Sequence, residues 1–192
     1  MMNKTVLLSC ILLALGTGAR AYASTQTVSL GYAQSKIQNF KDIRGVNFKY
    51  RYEWDSPLSV IGSLTYMSGS GDYTPTVASM DIFDGHAKVK YYSLAAGPAW
   101  RINQYISAYG LLGVNYNKVD YREGWYNYEG RYVYMGETSL SENKTALMYG
   151  AGLQINPVEN LAVDIGYEGS RLDVAGKDMS INGFSLNVGY RF

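Results

Sequence analysis

The sequence predicts an all-β protein, an eight-stranded antiparallel up-and-down transmembrane β-barrel, on three observations. Apolar and polar residues alternate with a period of two through segments of about ten residues, the length a tilted strand needs to cross a bilayer. The links between those segments are alternately short and long, which gathers the tight turns at one end and the long loops at the other. After the first 23 residues no helical period of any length is present.

Those first residues read as an export signal. Lys4 precedes an apolar stretch from Val6 to Leu15, short of the roughly 20 residues a transmembrane helix needs. The stretch leads to Ala21-Tyr22-Ala23, the small-x-small form cut by signal peptidase. The expectation is a cleaved signal peptide over 1–23 and a mature barrel over 24–192 with four extracellular loops. At 192 − 23 = 169 residues, the mature chain fits one domain. A competing reading makes Cys10 a lipid-modified cysteine, which would leave almost no apolar core upstream of it. The mature chain otherwise has no cysteine, so neither disulfides nor thiol chemistry is expected.

The strands follow in order. Val28, Leu30 and Tyr32 alternate with Thr27, Ser29, Gly31 and Ala33. Val46, Phe48, Tyr50 and Tyr52 alternate with Asn47, Lys49, Arg51 and Glu53. Leu58, Val60, Leu64 and Tyr66 oppose Ser59, Ser63 and Thr65. Segments near 88–101, 105–118 and 145–155 keep the pattern less cleanly, where glycine and alanine intervene. Leu161, Val163, Ile165 and Tyr167 oppose Ala162, Asp164, Gly166 and Glu168, and the segment near 180–192 closes the set. Links at 54–57, 102–104 and 156–160 are short, with Ser56-Pro57 and Asn156-Pro157 as turn formers. Long links are expected over 36–44, 68–87, 119–144 and 172–179.

A soluble sandwich would also alternate, but it buries its apolar face. Here the face carrying Lys49, Arg51, Glu53, Asp164 and Glu168, with Arg101 and Arg191, would fill the interior, and the apolar face would meet lipid. Inward charges could line a pore. In an eight-stranded barrel, however, side chains fill the interior, so a paired charge network in a solid polar core is the expectation. Glycines 110, 113, 150 and 152 follow no phosphate-loop spacing and are expected at bulges or tight packing.

Composition agrees with a membrane address. Removing Lys4 and Arg20 leaves 17 − 2 = 15 basic residues against 16 acidic ones, so the basic excess of a nucleic-acid binder is missing. Eighteen mature tyrosines, 19 less Tyr22, suit strands whose aromatics sit at headgroup level.

Gly45 to Glu53, Gly31 to Ser35, Gly150 to Pro157 and Phe184 to Phe192 resemble the signatures of the OmpX/Ail/PagC/Lom group of enterobacterial outer-membrane proteins. The resemblance covers the strands and not the long loops. Asn187 stands where the closing motif usually has glycine. What the resemblance implies is an eight-stranded outer-membrane barrel and, among virulence-associated members, adhesion, invasion or complement resistance.

Function is expected in the loops. The third long link carries Arg122, Trp125, Tyr126, Tyr128, Arg131, Tyr132 and Tyr134, residue types enriched at interface hot spots, and is read as a surface for host cell-surface, matrix or serum proteins, with a loop that only covers the barrel mouth or packs on its neighbours as the alternative. Its alternation also suggests strands continuing beyond the membrane, with an edge open to a partner strand. At the loop ends of the strands, Lys36, Arg44, Lys88, Lys90, Lys118 and Arg171 all fall in the outward phase. They are read as a rim for lipopolysaccharide phosphates, with interfacial snorkelling as the alternative. The terminal run to Phe192 resembles the signal read by the barrel-assembly machinery. No cofactor is expected, and a single histidine, His86, excludes a His/Cys metal cluster. His86 with Ser79, Asp81 and Asp84 is the one constellation for an alternative, lipid-modifying enzyme. A monomer is expected.

Overall fold

The computed structural model describes residues 24–38, 41–73, 82–128, 131–174 and 177–192. The signal-peptide reading over 1–23, with Cys10, and the candidates Ser79 and Asp81 lie outside the described residues. Eight strands are present: β1 (Thr25–Ile37), β2 (Asp42–Glu53), β3 (Leu58–Tyr73), β4 (Ile82–Arg101), β5 (Ile106–Tyr128), β6 (Tyr132–Val158), β7 (Leu161–Val174) and β8 (Lys177–Arg191). They form a closed barrel in sequence order, each strand antiparallel to the next and β8 paired with β1.

Register fixes the barrel's width. A row of partners from Val28 runs through Tyr50, Gly62, Ala96, Leu112, Tyr149, Gly169 and Asn182 and returns to β1 at Lys36, 36 − 28 = 8 residues higher. Eight strands with a stagger of eight leave an interior that side chains can just fill. The row climbs one residue per strand, so residues at equal height can be read from the pairings.

The long links are mostly strand, which corrects the expected loop boundaries. The described turn at Gln38 and the strand limits leave 38–41, 74–81, 129–131 and 175–176 as connections. β5 and β6 pair from Ile106↔Ile155 up to Tyr128↔Tyr132, with one register shift at Trp125/Tyr126 beside Gly136, whose φ of +153° favours glycine. Pairing of β6 with β7 stops at Met148↔Ser170. Above that level, among the described residues, the upper part of β6 is paired with β5 but not with β7, so a sheet centred on β4, β5 and β6 stands out from the barrel.

Outward side chains make a band of exposed Leu30, Leu64, Leu94, Leu112, Leu153, Ile165, Leu186 and Val188, and among the described residues no charge faces outward within it. Tyr32, Tyr66, Tyr92, Tyr116, Tyr149 and Phe184 flank the band toward the long-strand end; Trp54, Trp100, Tyr105, Tyr190 and Phe192 flank it toward the turns. Such girdles mark the two interfaces of an outer membrane.

Inside, polar residues predominate between the girdles, but the lumen is not the uniformly polar core expected. Ala33, Ile37, Ile43, Met67, Val89, Tyr91 and Ile181 form a buried apolar cluster near the outer end. A second, of Ile61, Ala95, Ala99, Tyr109, Leu111 and Met148, lies on one wall. The first has a simple cause. Above the outer interface the barrel's outside meets water and its mouth must be packed, so the phase of the alternation inverts: Ile37 follows outward Lys36, Ile43 precedes outward Arg44, and Val89 sits between Lys88 and Lys90.

Candidate functional site

The lumen network is built from facing strands. Lys49 Nζ donates to Asp164 Oδ1 at 2.5 Å and to Ser185 Oγ at 3.0 Å, joining β2 to β7 and β8. The Tyr109 hydroxyl donates to the same Asp164 oxygen at 3.0 Å, and a Cβ on inward Gly152 or Gly166 would strike that hydroxyl. Asn187, fully buried, donates to Asn47 Oδ1 at 2.7 Å and Asp164 Oδ1 at 3.1 Å. Nearer the turns, Glu53 accepts from Arg101 Nη2 at 2.8 Å and Arg191 Nε at 3.0 Å. Arg51 Nη2 lies 3.2 Å from Glu53, close enough for charge attraction but outside hydrogen-bond geometry. The charges therefore fall into two groups, Lys49 with Asp164 and Glu53 with three arginines. Glu168 belongs to neither: Thr65 donates to it at 2.8 Å and Ser93 also donates, and among the described residues it makes no ion pair. Of the four singled-out glycines, 113, 150 and 152 are close-packed, whereas a Cβ at Gly110 would meet open space.

All six rim cations face outward, with Lys36, Arg44, Lys88 and Arg171 exposed and Lys90 and Lys118 half-buried. From the register they occupy a belt four residue steps deep, about 10 Å at the rise and tilt of barrel strands. The belt begins where β6 and β7 part, and lipid does not tolerate an open sheet edge, so the hydrocarbon must end at or below Ser170. The cations thus stand at headgroup level. They are unevenly spread: Arg44, Lys88, Lys90 and Lys118 lie on β2, β4 and β5, whereas β6 carries outward Thr145 and Asn143 there.

The aromatic residues of the third link do not share one face. Tyr126, Tyr132 and Tyr134 lie on the outer face of the protruding sheet, where the rings of Tyr126 and Tyr134 are 5.4 Å apart; Trp125, opposite Gly136, lies on the inner face. Arg122 is outward and exposed, and Arg131 is exposed at the bend. Tyr128 ends β5, and its side chain lies outside the described residues.

His86 pairs with a residue the sequence did not suggest. Its Nδ1 is 2.6 Å from Asp72 Oδ1, its cross-strand partner on β3, and Arg122 is its partner on β5. The imidazole holds the Asp72 carboxyl below the usual carboxylate range. Asp84 is exposed on the same outer face. Among the described residues no group of three metal-ligating side chains occurs.

Comparison with known proteins places this geometry. The sequence profile described as Enterobacterial Ail/Lom protein matches residues 2–192. The virulence membrane protein PagC of Salmonella typhimurium is 44% identical over 173 residues, 90% of this chain and 89% of that protein. Outer membrane protein X of Escherichia coli is 40% identical over 199 residues, covering all of both chains. These matches reach past the strands, where the sequence signatures stop. The crystal structure of Ail, the attachment invasion locus protein of Yersinia pestis, in complex with the heparin analogue sucrose octasulfate, superposes with a TM-score of 0.68 at 37% identity, covering 89% of this chain and 100% of that one.

Proposed function

Because this chain belongs to the Enterobacterial Ail/Lom family of outer-membrane β-barrels, we propose that it is a non-enzymatic virulence factor that binds host surface or serum components through its protruding sheet. The protein is located in the outer membrane, and among its relatives PagC is named for virulence and Ail for attachment and invasion, neither for a reaction.

One observation carries the reading: among the described residues, β6 from Tyr132 to Leu147 has β5 on one side and no paired strand on the other. An edge of this length offers backbone hydrogen bonds to an extended segment of a partner, and alternate side chains supply selectivity. Tyr126, Tyr132, Tyr134 and Arg122 stand on the outer face beside that edge. The Yersinia pestis relative is recorded with a heparin analogue; in this chain Arg122 and Arg131 would supply the matching charge for a sulfated host partner.

The test is a pull-down from serum and extracellular matrix with the folded barrel. Capture of a defined host component that competes with heparin supports the reading, and no capture above an unrelated barrel contradicts it.

A further inference from the structure

On the flank from β2 to β5, one row of cross-strand partners runs Arg44, Ser68, Lys90, Lys118, Asn143. It contains three cations and no acid, and Lys90 stands directly opposite Lys118 on the same face. Like charges so placed repel, and two ammonium groups half-buried against a sheet need an anion between or above them. The nearest carboxylate, Asp120, satisfies this only in part: it is 3.6 Å from Lys118 Nζ and accepts from Ser141 Oγ at 2.7 Å.

Immediately below, the same strands carry an apolar groove of about 440 Å³ lined by Val46, Leu64, Leu94 and Val114. Its upper lip is a ledge of rings, Tyr66 to Tyr92 at 4.9 Å and Tyr92 to Tyr116 at 6.4 Å between centroids. Positive charge, aromatic ledge and apolar groove follow one another down the outside of the wall, in the order phosphate, sugar and acyl chain take in a phosphorylated glycolipid of the outer leaflet. The opposite flank also carries an apolar groove beneath Lys36, lined by Tyr32, Ile165, Phe184 and Leu186, and differs in how its charges are paired. There Lys36 stands across from Asp42 and Arg171 across from Ser180, so neither is apposed to a like charge.

We propose that the β2 to β5 flank is a specific site for one lipid A-type glycolipid, its phosphate clamped between Lys90 and Lys118 and its acyl chains laid in the groove beneath. The inference rests on the rim facing lipopolysaccharide and narrows that belt to a single site. Asp120, held below the usual carboxylate range chiefly by the Ser141 hydroxyl and then by Lys118, stays ionised and sets the outer limit of the clamp.

The experiment compares thermal unfolding of the folded barrel with added bisphosphorylated lipid A, dephosphorylated lipid A and phosphatidylglycerol. Lipid A should raise the midpoint of the unchanged protein. Joint Lys90→Ala and Lys118→Ala should remove more than half of that rise, and the paired Arg substitutions should restore it. Joint Lys36→Ala and Arg171→Ala should leave it intact. Dephosphorylated lipid A and phosphatidylglycerol should not distinguish the variants. Equal losses in both double variants would overturn the single site while leaving a uniform belt, and no rise in the unchanged protein would overturn the rim reading itself. Each variant's midpoint in detergent alone reports whether its barrel has folded.

Discussion

Glu53 on β2 accepts a hydrogen bond from Arg191 on β8, Oε2 to Nε at 3.0 Å, and so ties the second strand to the last one across β1. Its other oxygen takes Arg101 of β4, and Arg51 stands beside it. One carboxylate, 2% exposed, thus serves three guanidinium groups from three strands.

Removing it should leave buried positive charge uncompensated. Glu53→Ala is expected to destabilise the folded barrel by about 3 kcal/mol, the scale for breaking a buried ion pair from one side. Denaturant unfolding in detergent micelles measures it, and a change within error would show that the arginines do not depend on Glu53.

Conductance is the second expectation. Ile37, Ile43, Met67, Tyr91 and Ile181 are each about 1% exposed or less and close the outer end of the lumen, and the Lys49 to Asp164 pair crosses its middle. A barrel of this stagger holds packed side chains rather than a water column. Planar bilayer recordings should show no stable unit steps; reproducible steps would mean that the apolar cluster opens.

Acid should loosen the β3 to β4 end of the protruding sheet. The His86 contact holds the Asp72 carboxyl below its ordinary range, so the contact's contribution is complete above the ordinary aspartate value of about 3.9 and is lost as pH falls through the lower folded value. Because Asp72 is exposed, the barrel's overall midpoint should not move. Amide exchange near Asp72 and His86 should rise selectively below about pH 4, and Asp72→Asn should show that faster exchange already at neutral pH. Exchange insensitive to both would rule the contact out as a stabiliser of the hairpin.

Phe192 closes the ring through its backbone, with paired hydrogen bonds to Gln26 of 2.7 and 2.8 Å. Its ring ends an outward row of Phe184, Leu186, Val188 and Tyr190. Deleting Phe192 should therefore impair insertion by the assembly machinery, seen as periplasmic accumulation and degradation of the chain. Normal surface levels would show that the terminal aromatic carries no assembly signal.

The strands within the membrane were legible because lipid enforces one rule on every outward position. Lys49, Arg51, Glu53 and Asp164 could be placed inside from their phase alone, and they are buried there. The rule lapses at the rim. Above it both faces of β5 and β6 meet water, so no change of polarity marks where a strand ends; the alternation within 119–144 points to strands that continue beyond the membrane, as β5 and β6 do, but not to how far they run. The apolar cluster at the mouth left a signal that the same reasoning could have used, the switch of phase at Lys36-Ile37 and Ile43-Arg44. The Asp72 to His86 contact left none, since it depends on the register of two strands joined by a long link. Asn187, a departure from the closing motif, is a junction in the lumen that binds both Asn47 and Asp164.

The role of the protruding sheet is tested most directly in cells. Residues 122–135 would be replaced by a short turn, which preserves the Tyr121↔Leu140 pair and everything below it. Bacteria displaying the full chain should attach to cultured host cells. Bacteria displaying the shortened one at equal surface density should attach no better than those with an empty vector; attachment undiminished by the replacement would contradict a function carried by the sheet.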